Sequence, residues 1–330
     1  MISPIASLRD AALVATVVSR IPLNYTEGAD ASLDRPEHVR AGSSLTWLGN
    51  RLAVIQDDAH FIALIDPESG RVDALPLAAG EDGLRQFDDL RGNKRFKLDL
   101  ESCLTVPSPE GELLLAFGSG SNMRRESVIR VRLSGETEVI QAGELYARFR
   151  STRAFSGSEL NVEGAVFAGG WVRFFNRGNG EPRDGLLPLN ATCDVHWPEL
   201  EAYLQAPDRL KPPELRRIVQ YDLGSLDGVR LTFTDATAAY NGMLYVAAGE
   251  DSPDAVTDGK VSGSVIGVIN ESTRCHWTAL RQSDGRLFDA KIEGICSGDP
   301  EGRVYVVVDA DDPTRPSELC VVSLSGPWSR

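Results

Sequence analysis

The chain is poor in the residues on which most catalytic and metal chemistry rests. Its four histidines, His38, His60, His196 and His276, are scattered without ligand spacing. There is no H-E-x-x-H pair and no G-x-S-x-G nucleophile elbow, which sets aside the common zinc-hydrolase and serine-hydrolase signatures. The glycine-rich Gly118-Ser-Gly-Ser-Asn122 lacks the Gly-Lys-Ser/Thr ending of a phosphate loop and reads as a tight turn. Asp309-Ala-Asp-Asp312 opens like a calcium loop but lacks its turn glycine and closing glutamate. The five cysteines, Cys103, Cys193, Cys275, Cys296 and Cys320, are odd in number and form no C-x-x-C pair. Free, buried thiols in a reducing compartment fit that pattern better than a disulfide framework.

Long apolar runs are also missing. No stretch reaches 18 apolar residues, so no membrane span is expected. The N-terminus sets Arg9 and Asp10 ahead of its apolar run Ala11–Val18 and shows no small-residue cleavage site, which is not the order of a signal peptide. A cytoplasmic location is the expectation. Positive charge is in deficit: 34 Lys and Arg stand against 48 Asp and Glu, a net charge of −14. Such a surface repels phosphate backbones and anionic headgroups, so neither nucleic acid nor membrane is expected as a partner and a small-molecule ligand is.

What the chain has is a repeat. Asp99-Leu-Glu101-Ser, Asn161-Val-Glu163-Gly and Lys291-Ile-Glu293-Gly share one form. Phe233-Thr-Asp235-Ala repeats it with a shorter acid, and Gly42-Ser43-Ser44-Leu45 keeps the setting without one. The seeds at 44, 101, 163, 235 and 293 lie 57, 62, 72 and 58 residues apart, spacings that suit a four-stranded blade with variable loops. Each seed precedes a short apolar strand, a turn, and a stronger strand that ends in a polar knot such as Gln56-Asp-Asp58, Asn176-Arg-Gly-Asn179 or Asp309-Ala-Asp-Asp312. The pattern predicts an all-β chain forming a single β-propeller domain over 1–330. Five blades are favoured over six, with the N-terminal run Ala11–Ile21 supplying the outer strand that the last blade lacks. The segment at about 187–219, with its helix-like Pro198–Leu204, reads as an insertion in the third blade, and the Arg-rich 144–159 as a polar connection.

In an antiparallel hairpin the start of one strand lies beside the end of the next. First strands line a propeller's central channel, so the repeated acids and the polar knots should meet at one mouth. Glu101, Glu163, Asp235 and Glu293 are the expected metal ligands. Oxygen-only donors point to Ca2+. Glu163 and Glu293 are also the candidate catalytic acid and base, and Arg177, Lys291, Asn179 and Ser44 the candidate ligand-binding groups. Two carboxylates about 4 Å apart repel by roughly 4 kcal/mol at an effective dielectric of about 20, so the ring needs a cation, a Lys or Arg, or a raised pKa.

The segments NVEG…FFNRGNG, VQYDLG…LTFTDATA, AAGEDSPDAVTDG…GSVIG and KIEGICSG…VVVDADDPTRPSELCVVSL resemble a group of uncharacterised bacterial β-propeller proteins, from about Ser43 to Leu324. That group implies a fold and no activity. A fainter similarity to phytase-like and esterase-like propellers implies calcium-dependent hydrolysis of small phosphorylated or esterified substrates. The alternative is a non-catalytic propeller that binds a sugar or other small molecule at the same mouth.

Overall fold

The computed structural model describes residues 3–239, 241–251, 260–270, 274–298 and 302–328. Residues 252–259 of the segment AAGEDSPDAVTDG lie outside these residues. Strands β1 (Ile5–Arg9) and β2 (Val14–Pro22) come first. A meander then follows of β3 (Gly42–Leu48), β4 (Arg51–Gln56), β5 (Phe61–Ile65) and β6 (Val72–Pro76). A second holds β7 (Leu100–Ser108), β8 (Gly111–Gly118), β9 (Ser127–Arg132) and β10 (Thr137–Gln141), and a third β11 (Val162–Ala168), β12 (Trp171–Asn176), β13 (Asn190–His196) and β14 (Arg216–Asp222). After the two-residue β15 (Ser225–Leu226), the fourth runs through β16 (Val229–Ala239), β17 (Gly242–Asp251), β18 (Lys260–Asn270) and β19 (Cys275–Ala279). The short β20 (Arg281–Gln282) precedes the fifth, β21 (Ile292–Ser297), β22 (Arg303–Val308) and β23 (Glu318–Ser325).

These segments are strands because β-branched and aromatic residues alternate over short runs closed by turn residues. Along β22, Arg303-Val-Tyr-Val-Val-Val308, the valines are buried and the arginine is exposed. The fifth meander lacks a fourth strand of its own. β2 pairs antiparallel with β23 from Val14↔Ser325 to Pro22↔Glu318, so the start of the chain completes the last sheet. β1 lies parallel between β14 and β19 and ties the outer edges of the third and fourth meanders. Five apolar clusters fill the spaces between successive meanders, and the last joins the fifth to the first through Val307, Leu319, Leu45 and Val54. The first strands neighbour one another in a closed circuit, β3, β7, β11, β16, β21 and back to β3. The chain is thus mostly β and propeller-like.

Two expectations need correction. The segment at 187–219 is not an insertion as a whole. It contains β13 and the start of β14, and only 197–215, with α-helix Trp197–Gln205, departs from the meander. The Arg-rich 144–159 is not a plain connection either, since it forms helices Gly143–Ser151 and Arg153–Ser156. Leu145, Tyr146, Phe149 and Phe155 from them enter the core between the second and third meanders, where Phe149 and Phe174 ring centres lie 5.0 Å apart. The arginines face outward and hide that apolar stripe from a reading by composition.

One irregularity recurs and builds the site. In every first hairpin the pairing slips by one residue, from Gly42/Gln56 to Ser44/Ile55, and likewise at Leu100/Ser102, Val162/Gly164, Phe233/Asp235 and Ile292/Gly294. The unpaired extra residues are Ser43, Glu101, Glu163, Thr234 and Glu293, each released from the ladder by a β-bulge. Glycine follows two of the glutamates because the next first strand comes too close. A Cβ on Gly294 would lie 2.8 Å from the Ser44 Cα, and one on Gly164 3.2 Å from the Ala236 nitrogen.

Candidate functional site

The bulges turn Glu101, Glu163 and Glu293 into one small cavity of about 90 Å3 at the end of the closed circuit of first strands. The residues around it carry eight carboxylates and five cationic groups. Arg177, Lys291 and Asn179 line it with the three glutamates, as the sequence suggests. Ser44 and Asp235 do not. In their meanders the bulge falls one residue earlier, on Ser43 and Thr234, and a one-residue shift along a strand turns the side chain to the other side. The Ser43 hydroxyl donates to the Leu100 carbonyl at 2.5 Å and Thr234 to the Ile292 carbonyl at 2.7 Å, each the residue just before the next bulged glutamate. Asp235 is deeply buried. It accepts from Ser44 Oγ at 2.9 Å and from the Ile295 nitrogen at 3.0 Å, and so joins three meanders. Burial pushes its carboxyl well above the ordinary range. A metal set of Glu101, Glu163, Asp235 and Glu293 is therefore not what the fold assembles.

The cavity has two charged banks. On one, Lys97 reaches both oxygens of Asp57 at 2.6 Å and Asp99 at 2.7 Å, while Arg125 meets Asp99 at 3.0 Å and Ser119 donates to it. On the other, Arg177 joins Glu250 at 2.5 Å and Glu163 at 3.4 Å, and Lys291 joins Glu293 at 2.6 Å and Glu250 at 3.2 Å. Asn161 fixes Glu163 with a 2.7 Å hydrogen bond. Glu101 stands between the banks with no hydrogen bond or ion pair to any described residue. Burial, then the charges of Asp57, Glu163 and Asp99, push its carboxyl well up.

Among the described residues one group has the spacing of a metal site: Asp57, Asp99 and Glu101 present oxygens that all lie within 4.8 Å of one another. An all-oxygen set of this kind fits a hard divalent ion. Lys97 is its competitor, because the ammonium already sits against two of the three acids. Asp57 belongs to the knot at the end of β4. Asp99 stands two residues before its glutamate in the left-handed region, φ 57, a conformation that aspartate tolerates better than most residues. Both lie in phrases the repeat singled out. The acid at the seed drew the attention and its neighbours supply the rest of the cluster.

Other acids of the cavity are also held out of their usual range. Burial pushes Asp57 up to about 7, Glu293 to about 8 and Asp309 to about 8, against the pull of the lysines beside them. Despite burial, Lys97 and Arg125 hold Asp99 down to about 2. An acid whose folded pKa is raised contributes stability below its unfolded pKa, near 4, and that contribution is lost as pH rises through the folded value. His60, buried and held down to about 4, acts in the opposite sense as pH falls below 6.5. The clean window is therefore pH 6.5 to 9. In chelator the melting temperature should fall across it, and Glu293→Gln should flatten the fall when melting is followed by circular dichroism. An unchanged slope in that variant contradicts the assignment.

No curated protein matches this sequence. Among solved structures, a candidate glycoside hydrolase from Parabacteroides distasonis is similar at 9% identity and a TM-score of 0.48, over 89% of this chain and 88% of the other. A candidate gluconolactonase is similar at 11% and 0.38, over 97% and 95%. Streptogramin B lyase is similar at 12% and 0.40, over 95% and 98%. At these values no chemistry passes from them to this chain. The model of a family of unknown function, DUF6929, matches residues 38–324, and the chain belongs to that family.

Proposed function

We propose that the protein is a five-bladed β-propeller, closed by β2, whose channel mouth binds a small polar ligand through a hard divalent cation, Ca2+ in the first place. The observation that carries this reading is the position of Glu101: a half-buried carboxyl with no hydrogen-bond donor among the described residues, its oxygen 4.8 Å or less from those of Asp57 and Asp99. Eight carboxylates against five cations leave the cavity short of positive charge, which a divalent ion supplies. Arg177 and Lys291 on the opposite bank would orient an anionic part of the ligand. The acid excess and the five free, buried thiols support a small-molecule ligand met in a reducing compartment.

Calcium titration followed by melting tests the reading. Saturation at a hundredfold excess over the dissociation constant stabilises by about 2.7 kcal/mol. The wild-type chain should gain stability with Ca2+ and lose it with chelator, and Glu101→Gln should abolish the response. Equal shifts in both proteins would overturn the site.

Hydrolysis of a phosphorylated or esterified substrate is the use of the site favoured by one further observation. Glu293, held at about 8 beside Lys291, carries a proton at neutral pH that a leaving group can accept. Turnover lost in both Glu293→Gln and Glu163→Gln, with calcium binding kept, distinguishes an enzyme from the non-catalytic binding module.

A further inference from the structure

A second cavity lies far from the mouth. Glu163 stands near the mouth end of β11, and the Ala168-Gly-Gly-Trp171 reversal at the strand's other end, about 20 Å away at roughly 3.3 Å per residue, opens into a cleft of about 910 Å3 between the third and fourth meanders. Its volume is ten times that of the mouth and its lining is mainly apolar: Val166, Trp171, Ile218, Tyr221, Met243 and Ile269. Ligand-sized cavities are typically apolar with a few fixed polar groups. Here the fixed group is a pair of arginines on one aspartate. Asp194, 1% exposed, takes Arg173 through two hydrogen bonds of 2.6 and 2.8 Å and the Nε of Arg217 at 2.6 Å.

Arg217 is held unusually firmly for a half-exposed arginine. Its Nε is fixed on Asp194, its guanidinium carbon lies 4.3 Å over the Trp171 ring, and its backbone sits at φ 45 in the left-handed region. A non-glycine residue in that region costs on the order of 1 kcal/mol or more, and it persists only where its surroundings impose it. No hydrogen bond joins the terminal nitrogens of Arg217 to a described residue; its closest ion-pair contact is Nε on Asp194. The two arginines and one aspartate leave a net charge of +1 at the edge of the cleft. A rigid guanidinium edge beside an apolar floor is suited to a carboxylate or sulfonate carried on an apolar body.

We propose that this cleft is a binding site for a small apolar organic anion, with Arg217 as the residue that clamps its charged group and Trp171, Tyr221 and Met243 as the surface for its body. The site is independent of the cation at the mouth.

The probe is 8-anilinonaphthalene-1-sulfonate, an apolar anion whose fluorescence rises on binding, used with the full chain under conditions where near-ultraviolet circular dichroism confirms native packing. Saturable binding at one site per chain is expected, displaced by decanoate and accompanied by quenching of tryptophan emission. Arg217→Asn keeps a residue that tolerates the left-handed backbone and removes the guanidinium, so it should fold and bind at least tenfold more weakly. Met243→Glu, which sets a negative charge on the floor, should also weaken binding, whereas Glu101→Gln at the mouth should leave it unchanged. Equal affinity in wild type and Arg217→Asn, equal affinity for the uncharged N-phenyl-1-naphthylamine, or no saturable binding would each overturn the proposal.

Discussion

Arg177→Met is expected to destabilise the protein by about 3–5 kcal/mol at pH 7, the range for removing one partner of a buried charge cluster. Arg177 is 5% exposed and is the cation shared by Glu163 and Glu250, with Glu293 on the far side of Lys291. Methionine keeps most of the volume and none of the charge. It removes the guanidinium that Glu163 and Glu250 share, while Glu293, at about 8, already carries its proton at pH 7. The variant's deficit should shrink as pH falls toward 5, because protonation neutralises the stranded carboxylates and Glu163 is already pushed upward by its burial. A packing defect would show no such recovery. Urea unfolding at pH 7 and pH 5 decides between the two: a deficit that is large and independent of pH contradicts the electrostatic account.

Removal of residues 1–22 is expected to abolish cooperative unfolding altogether. β2 supplies the fourth strand of the last sheet, with Leu13, Ala15 and Val17 packed into the cluster between the fourth and fifth meanders. β1 adds a parallel bridge between the third and fourth. Burying a Leu or Val side chain contributes about 1.5–3 kcal/mol, and the truncation also leaves β23 with an unpaired edge. Domains of ordinary stability have about 5–15 kcal/mol in total, so the loss is of the same order as the whole. A truncated chain that still melts in one sharp transition near the wild-type temperature would show that the circuit does not depend on its N-terminal strand.

Both regions were partly legible in the sequence. The closure by the N-terminal run was legible because the last unit has three strands and an apolar β-branched run stands unassigned at the other end of the chain. The convergence of Glu101, Glu163 and Glu293 was legible because each repeats at the same place in its unit. The exchange of Asp235 for Thr234 was not, because a bulge inserts one unpaired residue and the text does not mark which of two neighbours it frees. Phe233-Thr-Asp235 therefore aligned by its acid, while the fold aligns by its bulge. The helices at 143–156 were hidden by arginines on their outer face, although Leu145, Tyr146 and Phe149 keep helical spacing. Asp57 and Asp99 were in view as parts of a knot and a seed. That knots and seeds meet at one mouth follows from the repeat. That Asp57 of one sheet and Asp99 of the next are the pair closest to Glu101 does not, because the repeat places every knot and seed alike and the packing of β4 against β7 selects this pair.

Asp57, Asp99 and Glu101 are the three residues proposed to hold a divalent ion together. Crystals grown or soaked with Mn2+ as an anomalous scatterer test that assignment most directly. A peak is expected in the anomalous map bonded to oxygens of all three residues, with the Lys97 ammonium moved off at least one aspartate. A map without density there, and Lys97 still bridging Asp57 and Asp99, would contradict it.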